Sequence, residues 1–183
     1  MTSALMAHRP IEELDVEHAC AVVKKLRLNV PALQGTEIES FFVNNLNPKP
    51  GDLMVYGEKV LEGVQLNLPS TPVLVECGEI AHAHADKKGC IDGHQVLREL
   101  PENPELDLAT IVSMISNDLL DPKGDERQNV FYPKELPKMM MSYRKECRTK
   151  DCESIWHGVF FWSKNESVID KNARVFYAAP APF

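Results

Sequence analysis

The chain has 183 residues, 44% hydrophobic and 26% charged, with a net charge of −7. That composition excludes collagen, long coiled coil and wholesale disorder; no apolar run nears the ~18 residues a membrane span requires, and the acidic balance argues against a nucleic-acid partner. Roughly 70% of the unfolded surface can be buried at this length, so a single domain over 1–183 is expected, with 1–9 and 179–183 as extended tails.

No charged segment followed by an apolar one opens the chain, so a secretory leader is not expected. The five cysteines, Cys20, Cys77, Cys90, Cys147 and Cys152, are odd in number and contain no CxxC. A cytoplasmic protein with five thiols is the expectation.

The first element predicted is a helix over 11–28. Pro10 suits its first position, Glu12 and Glu13 its first turn, and Lys24, Lys25 and Arg27 its last. Ile11, Leu14, Ala19, Val22 and Leu26 mark an apolar stripe. After the break at 31–35, Thr36 to Glu39 reads as a capping box opening a short helix over 37–46. Asp52 to Tyr56 reads as a strand, and Lys59 to Leu68 alternates like a second. Val73 to His84 is a long extended segment, with a bend allowed at Gly78, and His94 to Leu100 is expected as its antiparallel neighbour. Leu106 to Leu120 has helical spacing, and 121–129 is polar loop. Pro133 to Arg148 is expected as a helix, its Met139, Met140 and Met141 run filling core. Ile155 to Trp162 and Ala173 to Ala178 read as strands joined by a polar turn. The sum is an α+β class: a mainly antiparallel sheet with N-terminal and intervening helices packed on it.

Histidines carry the candidate chemistry. His82 and His84 fall two apart on a predicted strand and share a face, with Glu76 on the same side. A loop can bring His94 alongside on the next strand. Three imidazoles so placed could hold a divalent metal, zinc or iron, with a position left open for water or substrate. The metal-free alternative is acid/base work by one histidine near neutral pH. Glu76 or Glu79 would orient an imidazole, and His157 is either a core histidine or a fourth member. Trp156 and Trp162 fall on the face opposite His157, as core or pocket wall. Lys87 breaks the HxHxDH pattern of metallo-β-lactamase-like hydrolases.

Leu66-Asn-Leu-Pro-Ser70, Glu79-Ile-Ala-His-Ala-His84, Cys90 and His94 together resemble the central segment of the fungal luciferase-like domain. The resemblance covers 66–94, and the family's Gly-Trp-Gly segment does not follow His94. It implies an oxygen-using enzyme, with Glu79, His82, His84 and His94 as the matching positions and a small aromatic or polyketide-like substrate. Oxygenase and lyase chemistry on a small apolar or aromatic molecule are both compatible with these residues. The alternative is a non-catalytic cytosolic partner-binding or regulatory module that uses the Met139–Tyr143 stretch, the polar loop at 121–129 and the Pro-rich tail.

Overall fold

The structure, a computed structural model, describes residues 22–33, 38, 41, 53–56, 62–80, 89–120, 127–147, 155–164 and 168–179, excluding the side chains at 22–26, 53–56, 79–80, 146–147 and 155–157. Nine strands are described: β1 (Val22–Val30), β2 (Leu53–Tyr56), β3 (Val73–Ile80), β4 (Cys90–Asp92), β5 (Asn129–Phe131), β6 (Met139–Cys147), β7 (Ile155–Ser163), β8 (Val168–Asp170) and β9 (Arg174–Ala178). Seven form one sheet in the order β1-β3-β9-β5-β6-β7-β2, and β4 pairs with β8 in a separate ribbon. Within the large sheet β5–β9 and β2–β7 are parallel and the other four pairings antiparallel. With two helices whose full extent is described, α1 (Gly93–Glu99) and α2 (Leu108–Ser116), the arrangement is α+β and dominated by antiparallel strands.

Both faces of the sheet are covered, which explains why its central strands read as continuous apolar runs. On one face Val75, Cys77, Phe131, Met141, Tyr143, Val159 and Phe176 pack against Leu108, Ile111 and Met114 of α2. Phe131 and Phe176 stack there with ring centroids 5.2 Å apart, an arrangement worth about 0.5–1.5 kcal/mol beyond area burial. On the other face Val130, Tyr132, Met140, Val175 and Tyr177 pack against Val96 of α1 and against Ile91 and Ile169 of the ribbon. The outer side of α2 is closed by Ile38, which contacts Ala109 and Val112; Ile38 and Phe41 are helical, as the capping box predicts.

Four expectations are corrected. Residues 22–28 are strand, not the end of an N-terminal helix. Leu28 and Val30 alternate with exposed Arg27 and Asn29, and antiparallel pairing with β3 satisfies the backbone, so tertiary pairing overrides a stripe that also fits helical spacing. Residues 94–100 are helix and bend, not the strand beside β3; the neighbours of β3 are β1 and β9. The Asp92 carboxylate accepts from the His94 N–H at 2.9 Å, which is an N-cap, and Val96, Leu97 and Leu100 gather on one helical face. Residues 139–147 are strand, not helix: Met140 and Met141 are both fully buried, on opposite faces of a central strand. Such a run cannot be told from a buried helix by periodicity. Finally, 62–69 pairs with no described strand; Gly63 takes a left-handed φ of 74° and Val64 and Leu66 dip into the core individually.

Strand β2, the helix from 108, β7 and β9 lie where the sequence predicts them. The expected helix over 11–21, the loop at 121–126 and the tail from 180 lie outside the described residues. Cys77 and Cys90 are thiols, as expected; the side chains of Cys20, Cys147 and Cys152 lie outside the described residues. Among the described residues no helix is long and apolar enough to cross a membrane.

Candidate functional site

The ribbon and α1 cover the second face of the sheet over β9, β5 and the start of β6. Beyond them, between β8 and the β6–β7 pair, this face opens into a cleft of about 310 Å³. Its wall from β7 is aromatic. Gly158, Phe160 and Trp162 alternate onto this side, and the rings of Phe160 and Trp162 stack with centroids 6.4 Å apart. Gly158 explains the geometry: a β-carbon there would stand 2.8 Å from the Phe160 ring, which lies over the glycine instead. Trp162 nevertheless keeps 49% of its surface exposed, and Val168 across the cleft keeps 58%. Large apolar groups facing each other across a concavity are the usual lining of a small-molecule site.

The floor and far wall are polar. Ser142 and Arg144 come from β6, Gln128 from the segment before β5, and Asp170 from β8. The Arg144 guanidinium donates to the Asp170 carboxylate and ties β8 to β6. Gln128 clamps the same residue from below: its Oε1 accepts from the Asp170 N–H at 2.9 Å, and its backbone carbonyl accepts from Arg174. The ribbon is closed just beyond Asp170 by the Lys171 N–H donating to the Gly89 carbonyl, where Gly89 has a φ of 81°.

A second polar cluster lies at the start of α2, where its bonds tie separate segments of the fold together. Asp107 stands at the N-cap without capping through its side chain. The cap comes instead from Glu135, whose Oε2 accepts from the Leu108 N–H at 2.9 Å while its Oε1 accepts from the Asn67 N–H at 3.1 Å. Asp107 accepts from Asn67 Nδ2 at 2.6 Å and meets Lys134 at 3.4 Å.

The sequence-derived site residues are dispersed between described and undescribed parts. His94 is described: it is exposed near the start of α1, not on a strand beside β3, so that element of the expected triad is corrected. Glu76 is 5% exposed and its carboxylate accepts from Arg27 Nε at 3.0 Å, across the β1–β3 pair. His82 and His84 lie outside the described residues. His157 and Glu79 belong to β7 and β3 by backbone, and their side chains lie outside the described residues. Among the described residues no group of three or more His, Cys, Asp or Glu is placed to hold a metal.

Sequence reasoning left Trp162 open as core or pocket wall and missed Phe160, Ser142, Arg144, Gln128 and Asp170. The available signal was the alternation Gly158-x-Phe160-x-Trp162, a glycine followed by aromatic residues on one strand face. Ser142 and Arg144 were hidden because their strand reads as a helix. No protein-family model, no curated protein and no solved structure matches the chain.

Proposed function

We propose that this protein binds a small, flat, largely apolar molecule in the β6–β7–β8 cleft. The observation that carries the reading is the half-exposed Trp162 ring, stacked on Phe160 and facing Val168. The volume, about 310 Å³, lies at the low end of the roughly 300–1,000 Å³ of small-molecule pockets and suits one or two fused rings. The reading keeps the expected aromatic ligand and moves its site away from the histidines. The Met139–Tyr143 stretch, expected to serve a partner-binding module, does not offer a surface for one: Met140, Met141 and Tyr143 are core.

The test is calorimetric titration of the protein with 2-naphthylmethanol, a neutral two-ring probe. Saturable binding is expected, weakened about tenfold or more in Trp162→Ala, since a ring face lost from a small site is worth roughly 1–3 kcal/mol. Leu68→Ala, which trims another exposed apolar residue, should bind like the parent. Equal binding by the parent and Trp162→Ala would overturn the reading.

The metal- or oxygen-using chemistry, oxygenase or lyase in type, is a separate proposal supported by the spacing of His82 and His84. Metal analysis of the purified protein tests it. Stoichiometric zinc or iron that disappears in a His82→Ala/His84→Ala variant is expected; an equal metal content in that variant removes the proposal.

A further inference from the structure

We propose that the ligand of this cleft is an aromatic acid, and that Asp170 is an internal carboxylate with which the ligand competes for Arg144. This rests on the cleft reading above and names the chemical class it takes. A guanidinium carries five N–H donors in a flat fork, and one carboxylate uses at most two of them. Arg144 has given an amino group to Asp170, and its side chain remains 34% exposed in the cleft wall. It therefore has donors left for a second acceptor.

The neighbouring polar groups point the same way. Because Gln128 Oε1 accepts the Asp170 N–H, the amide's remaining hydrogen-bonding group is its NH₂, a donor. Ser142 adds a hydroxyl to the same lining. Donors from three side chains thus surround the aromatic wall, while Asp170 supplies the carboxylate acceptor. That carboxylate already marks where an anionic group sits when Arg144 holds it: beside the Phe160–Trp162 wall, on the strand that carries Val168. A flat acid can place its ring on Trp162 and its carboxylate on the open edge of the same guanidinium. Asp170 then limits how tightly the acid binds, by opposing its charge and sharing its guanidinium. A cation would instead have to pair with Asp170 against the nearby charge of Arg144.

The test uses three probes with one ring system: 2-naphthoate, 2-naphthylmethanol and 2-naphthylmethylammonium. Each is titrated calorimetrically at low salt into the full chain and into Arg144→Gln, Arg144→Lys and Asp170→Asn, with thermal melts run on each variant. The acid should bind about tenfold or more tightly than the alcohol, the scale of a charge-assisted hydrogen bond. Arg144→Gln should bring acid and alcohol level while the alcohol still binds. Arg144→Lys should retain part of the preference, because the charge remains but the fork is lost. Asp170→Asn should tighten the acid several-fold and leave the alcohol unchanged; if Arg144→Gln does not fold, this variant and the lysine variant decide. An acid no tighter than the alcohol, or an ammonium probe that binds tightest, overturns the inference and leaves the aromatic cleft standing. Failure of all three probes to bind overturns both.

Discussion

Tyr132 carries a hydroxyl that folding takes out of water and gives no hydrogen-bond partner among the described residues. Burial pushes its phenol above the ordinary tyrosine range, because the charged phenolate is poorly solvated there. The folded protein therefore holds this proton to higher pH than the unfolded chain does. The contribution to stability is intact below about pH 10 and is lost as pH rises above it, by up to about 1.4 kcal/mol per pH unit. Tyr132→Phe should flatten that part of the decline in urea unfolding between pH 8 and 11. At pH 8 it should cost little, since it removes an unpartnered polar group along with its desolvation penalty. A decline equally steep in the phenylalanine variant would assign it to other groups. The ring itself keeps a function in either form, with the Lys164 ammonium 5.4 Å from its centroid.

The second helix shows how an element can be set by a residue remote in sequence. Its N-terminal amide is capped by Glu135, 27 residues away, and the same carboxylate holds the Asn67 backbone. Glu135→Ala should therefore loosen two segments at once. About 1–3 kcal/mol of stability should be lost, with faster amide exchange at Leu108 and Asn67; exchange unchanged at both amides would show that the cap is supplied otherwise. This distance also marks what was legible. Local signals were: Thr36 to Glu39 correctly placed Ile38 in a helix, and the apolar spacing after Leu106 placed α2. Asp92 was equally local, but beside Gly93 it read as loop, so α1 was taken for a strand. The cleft was legible only in part and only on its β7 side, where alternation put Trp162 on the face opposite His157 and left core and pocket wall both open. Arg144 follows a methionine run whose burial on both faces erases the period that would identify its strand, and Asp170 sits on a three-residue strand, too short to carry a pattern.

At the scale of the molecule, the α+β class was legible although three segments were read in the wrong state, because β2, α2, β7 and β9 alone require both sheet and helix. The order of strands was not. A mixed sheet with β9 between β3 and β5 depends on contacts between residues about a hundred positions apart, such as Cys77 and Phe176, and composition says nothing about which strands meet. The two covered faces account for the apolar content of β5, β6 and β9. Toward β6 and β7 the cover given by the described residues runs out, since the ribbon that supplies it is only three residues long on each side. Placing the cleft there needs no special sequence, just a short ribbon over a wider sheet.

The position of β9 also governs when the molecule can be completed. Strands β1 and β3 form one antiparallel pair, and β5, β6 and β7 follow one another in a run of antiparallel neighbours. Each group can zip up soon after it leaves the ribosome. In the described sheet the two are joined through β9, the last of the described strands in sequence order, which is antiparallel to one and parallel to the other. Until it emerges, β3 and β5 each present an unpaired edge, the kind of surface on which nascent chains stick to one another. The final strand is thus a keystone set after both sides of the arch are standing. Removing Arg174–Ala178 would leave the described sheet as two half-sheets rather than one slightly smaller sheet.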